Sequence, residues 1–150
     1  MNDSKQFATF FLDGLLFGIE VRKVQEVIRY QVMTRVPIAP LMIEGLINLR
    51  GQIITAIDLR RRLELPPRAV GQLPMNVVVR SEDGAVSLLV DEIGDVIEIQ
   101  DHTYERAPET LKGVARELVS GVYKIESRLL LILDVAKAVT LPPSRLQTQN

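Results

Sequence analysis

The 150-residue chain has no cysteine, no tryptophan, a single histidine and few aromatic residues of any kind, 5%. Without cysteine, disulfides, thiolate metal centres and cysteine nucleophiles are excluded. With so few aromatic rings, any core must be built mainly from aliphatic side chains. Charge of one sign is also lacking. The 18 Lys and Arg against 19 Asp and Glu leave a net charge of −1, which gives no pull toward nucleic acid or anionic lipid. No apolar run approaches the roughly 18 residues that a membrane-spanning helix needs. Met1-Asn2-Asp3-Ser4-Lys5 lacks the basic and apolar regions of a secretory signal. A cytoplasmic protein without direct membrane insertion is expected.

Catalytic patterns are missing too. A Ser-His-Asp triad would have to use His102, which lies in a polar stretch beside Asp101 and Glu105, and Ser120-Gly121 is not set in a nucleophile elbow. No dinucleotide fingerprint, phosphate loop, zinc-protease motif or calcium loop is present. Asp91, Glu92, Asp95 and Glu98 form an acidic set that could hold a divalent cation, but a solvated strand edge is the plainer reading. Arg60-Arg61-Arg62 could touch phosphate, yet no aromatics are interleaved with it. The sequence therefore predicts no enzyme, no cofactor, no metal and no nucleic-acid partner. What remains is a binding module.

What is present is apolar and β-patterned. Hydrophobic residues make up 47% of the chain, enough for a core. The organising stretch is Gly45-Leu46-Ile47-Asn48-Leu49-Arg50-Gly51, followed by the β-branched run Ile53 to Ile57 and then Asp58-Leu59-Arg60. Two glycines bracket Asn48 and Arg50. The segment reads equally as a plain hairpin whose Asn and Arg cap a turn and as a docking turn. A second copy follows. Gly121 and Asp134 stand 76 positions after Gly45 and Asp58, and Asp83-Gly84 stands 70 after Asp13-Gly14. Self-similarity of this kind marks a duplicated supersecondary unit.

The strands expected from patterning are Phe7–Leu12, Leu15–Glu20, Ile53–Ile57, Met75–Arg80, Ala85–Val90, Asp95–Ile99, Val119–Ile125 and Leu129–Leu133. Val24, Val27 and Ile28 fall at i, i+3 and i+4 and predict a short helix within Val21 to Tyr30. Further helical turns are expected within 109–118 and 134–139. The Pro- and Gly-rich stretch 65–74 reads as the linker between the copies. Many short strands with regular turn signals predict a mainly β protein of two small barrels on a shared core. A single domain is expected over 7–140, with 141–150 as a flexible tail.

On these segments the chain resembles the chemotaxis coupling protein family, the CheW-like proteins. The matching pieces are Val24-Gln25-Glu26-Val27-Ile28, Thr34-Arg35-Val36-Pro37, the Gly45 to Gly51 stretch, Ile57-Asp58-Leu59-Arg60 and Leu130-Leu131-Ile132-Leu133-Asp134. The resemblance implies two intertwined, five-stranded SH3-like barrels. It also implies a non-enzymatic adaptor that joins the cytoplasmic tip of chemoreceptors to the regulatory domain of a CheA-type histidine kinase, in receptor arrays at the inner membrane. An alternative within the family is a coupler for a non-flagellar output such as pilus motility. The residues to which the resemblance assigns binding are Val24, Glu26, Val27, Gly45, Asn48, Arg50, Gly51 and Asp58. Where the family often has Pro ahead of Val-Asp-Leu-Arg, this chain has Thr55-Ala56-Ile57-Asp58, so the edge exposure of that strand is expected to differ.

Overall fold

Tight turns cut the β-branched runs into hairpins. At Asp13-Gly14 (φ 50° and 78°) and at Arg50-Gly51 (φ 52° and 86°) both central residues are left-handed. That is the geometry that matches the twist of the flanking strands. The computed structural model describes residues 5–100, 104–107, 109 and 111–140. The tail at 141–150 and His102 lie outside the described residues. The strands are β1 (Lys5–Leu12), β2 (Leu15–Glu20), β3 (Val24–Ile28), β4 (Ile43–Leu49), β5 (Gln52–Asp58), β6 (Met75–Ser81), β7 (Gly84–Val90), β8 (Glu92–Ile99), β9 (Tyr104–Glu105), β10 (Val119–Ile125) and β11 (Arg128–Leu133). The helices are α1 (Leu59–Arg62), α2 (Gly113–Leu118) and α3 (Val135–Val139). Among the described residues, no helix is long and apolar enough to cross a membrane.

Two sheets result, in the orders β8-β1-β2-β11-β10-β9 and β3-β6-β7-β5-β4. They are the two SH3-like subdomains expected from the sequence, one of them extended by the two-residue β9. The duplication does not map one copy to one sheet. The β1–β2 hairpin joins β8, β10 and β11 from the second half, and the β6–β7 hairpin joins β3, β4 and β5 from the first. Each copy lends a hairpin to the other's sheet, so the 65–74 stretch separates the copies but not the sheets.

The registers repeat with the sequence. Ile43 faces Ile57, and 76 positions later Val119 faces Leu133. Val24 faces Val79, while Ile93, 69 positions after Val24, faces Phe10, 69 before Val79. The parallel junctions also agree: Thr55 faces Val86 in one sheet and Leu131 faces Phe17 in the other. Register irregularities fall at Gly45 and at Gly121. At Gly45 a Cβ would stand 2.7 Å from the carbonyl oxygen of Thr34, which accepts from Leu46 N at 2.8 Å. Gly45→Ala is therefore expected to force that strand pair apart and to cost about 1–3 kcal/mol, as overpacking usually does. Urea denaturation of the variant measures it.

The core follows from the topology. Phe10, Leu12, Phe17 and Ile19 of one sheet meet Ile57, Val77, Val79 and Leu88 of the other, and helix residues such as Leu59, Leu118 and Val135 close the cluster. Phe10 and Phe17 stack with centroids 5.9 Å apart. Two smaller clusters lie within single sheets, around Phe7, Leu16 and Leu130 and around Ile47, Ile54 and Val78.

One expectation from the sequence changes. The segment predicted as a helix is a 3-10 turn, Val21–Lys23, followed by strand β3. Its β-branched residues lose rotamer freedom in a helix, and so short a helix would be marginal, whereas pairing with Val77 to Val79 of β6 satisfies the backbone. The expected difference in edge exposure at Thr55-Ala56 is seen in β5. It pairs with β4 on one side and β7 on the other, so the strand with Thr55-Ala56 in place of Pro is interior.

Candidate functional site

The β4–β5 turn is fixed by its own residues. Asn48 Oδ1 accepts from Gly51 N at 2.9 Å, which locks the chain reversal and leaves the Arg50 side chain to project. That side chain is 68% exposed and ion-pairs with Glu26 of β3. β3 and β4 are the two edge strands of the five-stranded sheet, so the Glu26–Arg50 pair joins its opposite edges. The pairing with Glu26 raises the Arg50 guanidinium further above its ordinary value. Next to the pair, Val27 is 39% exposed and Ile53, just past the turn, is 61% exposed. Sheet geometry accounts for Val27: along β3 burial alternates, with Val24, Glu26 and Ile28 half-buried and Gln25 and Val27 exposed.

The structure thus brings Glu26, Val27, Asn48, Arg50 and Gly51 to one end of the five-stranded sheet. Val24 lies half-buried on β3 against the shared core. Gly45 is buried at the bulge beneath Thr34. Asp58 is elsewhere. It ends the seven-residue β5 that Gln52 begins, a run of about 20 Å at strand rise.

Asp58 belongs to a buried ion network that spacing in the sequence does not reveal. It caps α1 by accepting from Arg60 N at 3.1 Å, and it lies 3.3 Å from Arg68 Nη2. The centre of the network is Asp91, 8% exposed, directly after β7. Arg60 donates to it through Nε at 2.9 Å and Nη2 at 2.5 Å. Arg68 Nε donates at 3.0 Å and Asp13 N at 2.9 Å. Burial by itself would raise the Asp91 carboxyl. The hydrogen bonds from Arg60, the Asp13 amide and Arg68 outweigh it and hold the group below the ordinary carboxylate range. Among the described residues no group of three or more His, Cys, Asp or Glu is arranged to hold a metal, and the Asp91 read as part of an acidic edge is committed to two arginines.

The arginine triplet is committed as well. Arg60 also donates to the carbonyl of Pro66 at 2.8 Å. Arg61 donates to the Leu41 carbonyl and pairs with Glu44. Arg62 reaches three carbonyls around the end of α3: Ala138 at 2.9 Å, Lys137 at 2.8 Å and Thr140 at 3.0 Å. Burial lowers the Arg62 guanidinium from its ordinary value. These contacts remove the basis for reading residues 60–62 as a phosphate-binding run.

Comparison with known proteins agrees with this architecture. A family model described as the CheW-like domain matches residues 6–142. The chain is 34% identical over 130 residues to chemotaxis protein CheW of Bacillus subtilis (strain 168), covering 87% of this chain and 83% of that one. It is 30% identical over 142 residues to chemotaxis protein CheW of Treponema pallidum (strain Nichols), covering 91% and 84%. The fold is similar to the crystal structure of scaffolding protein TtCheW from Thermoanaerobacter tengcongensis, with a TM-score of 0.81, 28% identity, and coverage of 91% of this chain and 93% of that one. With the family model spanning nearly all of the described residues, the chain belongs to the CheW-like domain family.

Proposed function

We propose that the protein is a non-enzymatic chemotaxis coupling adaptor that holds the cytoplasmic tip of chemoreceptors next to the regulatory domain of a CheA-type histidine kinase. The observation that carries this reading is the family match over residues 6–142, and relatives named as a chemotaxis protein and as a scaffolding protein support it. The receptor contact is assigned to the end of the five-stranded sheet that carries Val27, Asn48, Arg50 and Gly51, with Val24, Glu26 and Gly45 behind it. A rigid turn, a guanidinium with donors to spare and exposed aliphatic neighbours form a surface suited to a helical hairpin, whose acidic side chains Arg50 can fork. Asp58 contributes by capping α1 at the far end of β5. The protein acts by positioning. Each contact is weak alone, and an array at the inner membrane multiplies them.

Calorimetric titration tests the reading. The partners are a receptor-tip coiled-coil fragment and the regulatory domain of a CheA-type kinase. Binding to both at separable sites is the expected result. Binding to neither contradicts it.

A further inference from the structure

The two sheets share a core, but apolar contact is non-directional. It resists separation of the sheets more than it fixes their angle. Hydrogen bonds carry direction, and among the described residues two sets of them tie the sheets together: one runs to the β1–β2 hairpin from Asp91, which α1 holds through Arg60, and the other runs from Arg62 of α1 to α3. On one side Arg60 grips Asp91. Asp91 in turn accepts from Asp13 N at 2.9 Å and donates its own N–H to the Phe11 carbonyl at 3.0 Å. Phe11 and Asp13 belong to the β1–β2 hairpin of the six-stranded sheet. On the other side Arg62 holds the carbonyls of Ala138, Lys137 and Thr140. They belong to α3 and the residue after it, and α3 follows the last strand of the six-stranded sheet and packs on β6 of the other. Residues two apart in a helix lie about 200° apart around its axis, so the two arginines leave α1 on nearly opposite sides. Asp58 pins α1 through its cap, and α1 packs on β5 and β7.

We infer that α1, with Arg60 and Arg62, is a brace that fixes the angle between the two sheets, and that this angle tunes receptor affinity without either arginine touching the receptor. The clause on affinity rests on the function proposed above. The brace itself rests only on geometry. Arg60 and Arg62 are positioning residues. The repeat does not supply a second arginine pair, because Ala136 and Ala138 stand at the positions 76 residues after Arg60 and Arg62. The arginine pair is single-sided: α1 supplies it, and Asp91 relays one arm to the β1–β2 hairpin.

The test uses the full-length protein. Residual dipolar couplings are measured for both sheets in the wild type and in Arg62→Ala, with titration of the receptor-tip fragment alongside. In Arg62→Ala the couplings within each sheet should still fit that sheet, while a single alignment should no longer fit both. Receptor affinity should fall about threefold to thirtyfold, the range over which residues outside a ligand contact modulate binding. Arg62→Lys, which keeps the charge but loses the fork, should give intermediate values for both readouts. Arg62→Gln replaces the alanine variant if the latter does not fold. A single alignment that fits both sheets in every variant overturns the brace. An altered angle with unchanged receptor affinity overturns the link to binding. A wild type that binds no receptor fragment overturns the proposed function, and the couplings still decide the brace.

Discussion

Asp91→Ala should lower stability by about 3–5 kcal/mol, because it takes the central carboxylate from a buried site and leaves Arg60 and Arg68 only the more distant Asp13 and Asp58 carboxylates. Asp91 accepts from both guanidinium groups and from the Asp13 amide, so one substitution unpairs four N–H donors on three residues. For a domain of this size the loss corresponds to a fall in Tm on the order of 10 °C. It is a large share of the roughly 5–15 kcal/mol that separates folded from unfolded protein. Replacing the centre of the cluster should be milder: Asp91→Leu combined with Arg60→Met and Arg68→Met removes three charges together with their desolvation cost and leaves Asp58 its Arg61 partner. Thermal denaturation followed by circular dichroism ranks the variants.

The same carboxylate gives the protein an acid limit. Its folded pKa lies below the ordinary value, so its stabilising contribution is complete above the unfolded value of about 3.9. That contribution is lost as pH falls through the lower folded value. In Asp91→Asn this portion of the pH dependence should disappear, and the stability curves of wild type and variant should converge in acid.

The second large effect is on binding. Arg50→Glu should weaken the receptor-tip contact at least tenfold, since it reverses the charge of a projecting arginine of the kind that dominates interface energetics. It also places two carboxylates together where Glu26 and Arg50 now pair. The fold should survive. An exposed ion pair contributes little to stability, and the duplicated turn shows that glutamate accepts the backbone geometry: Glu126, 76 positions on, has φ 52°, as Arg50 does. Titration of the receptor fragment against Arg50→Glu, with a thermal melt to confirm folding, measures both halves of the expectation. An unchanged affinity would remove Arg50 from the contact.

Much of the fold was legible because the chain states it twice. Gly45 and Gly121, with Asp58 and Asp134, marked equivalent strands in the sequence, and in the structure they hold equivalent registers and caps. Asp58 N donates to Met42 O at 2.7 Å and Asp134 N to Leu118 O at 2.8 Å. What local pattern cannot express is which copy pairs with which. Nothing in either hairpin says that β1–β2 lies beside β11 rather than β5, so the exchange of hairpins between sheets had no local signal.

At the candidate site, pattern and structure part at β3. Val24, Val27 and Ile28 suit a helical face, but alternation along a strand turns Glu26 inward and Val27 outward. The inward glutamate makes sense only once Arg50, 24 positions away, is folded against it. Local rules fail where a residue serves a distant partner. The Asp91 network was hidden for the same reason: Arg60 and Arg68 are 31 and 23 positions distant. In sequence, Asp91 sits beside Glu92 and Asp95 and looks like one more surface acid.

The most direct test of the adaptor reading is kinase activity in a reconstituted system. Vesicles bearing chemoreceptors are mixed with a CheA-type kinase, with and without the protein, and kinase autophosphorylation is followed. The coupling account predicts that the protein brings the kinase under receptor control: autophosphorylation rises when it is added and responds to receptor ligand only in its presence, and Arg50→Glu abolishes that response. A kinase whose activity and ligand response are the same with and without the protein would contradict it.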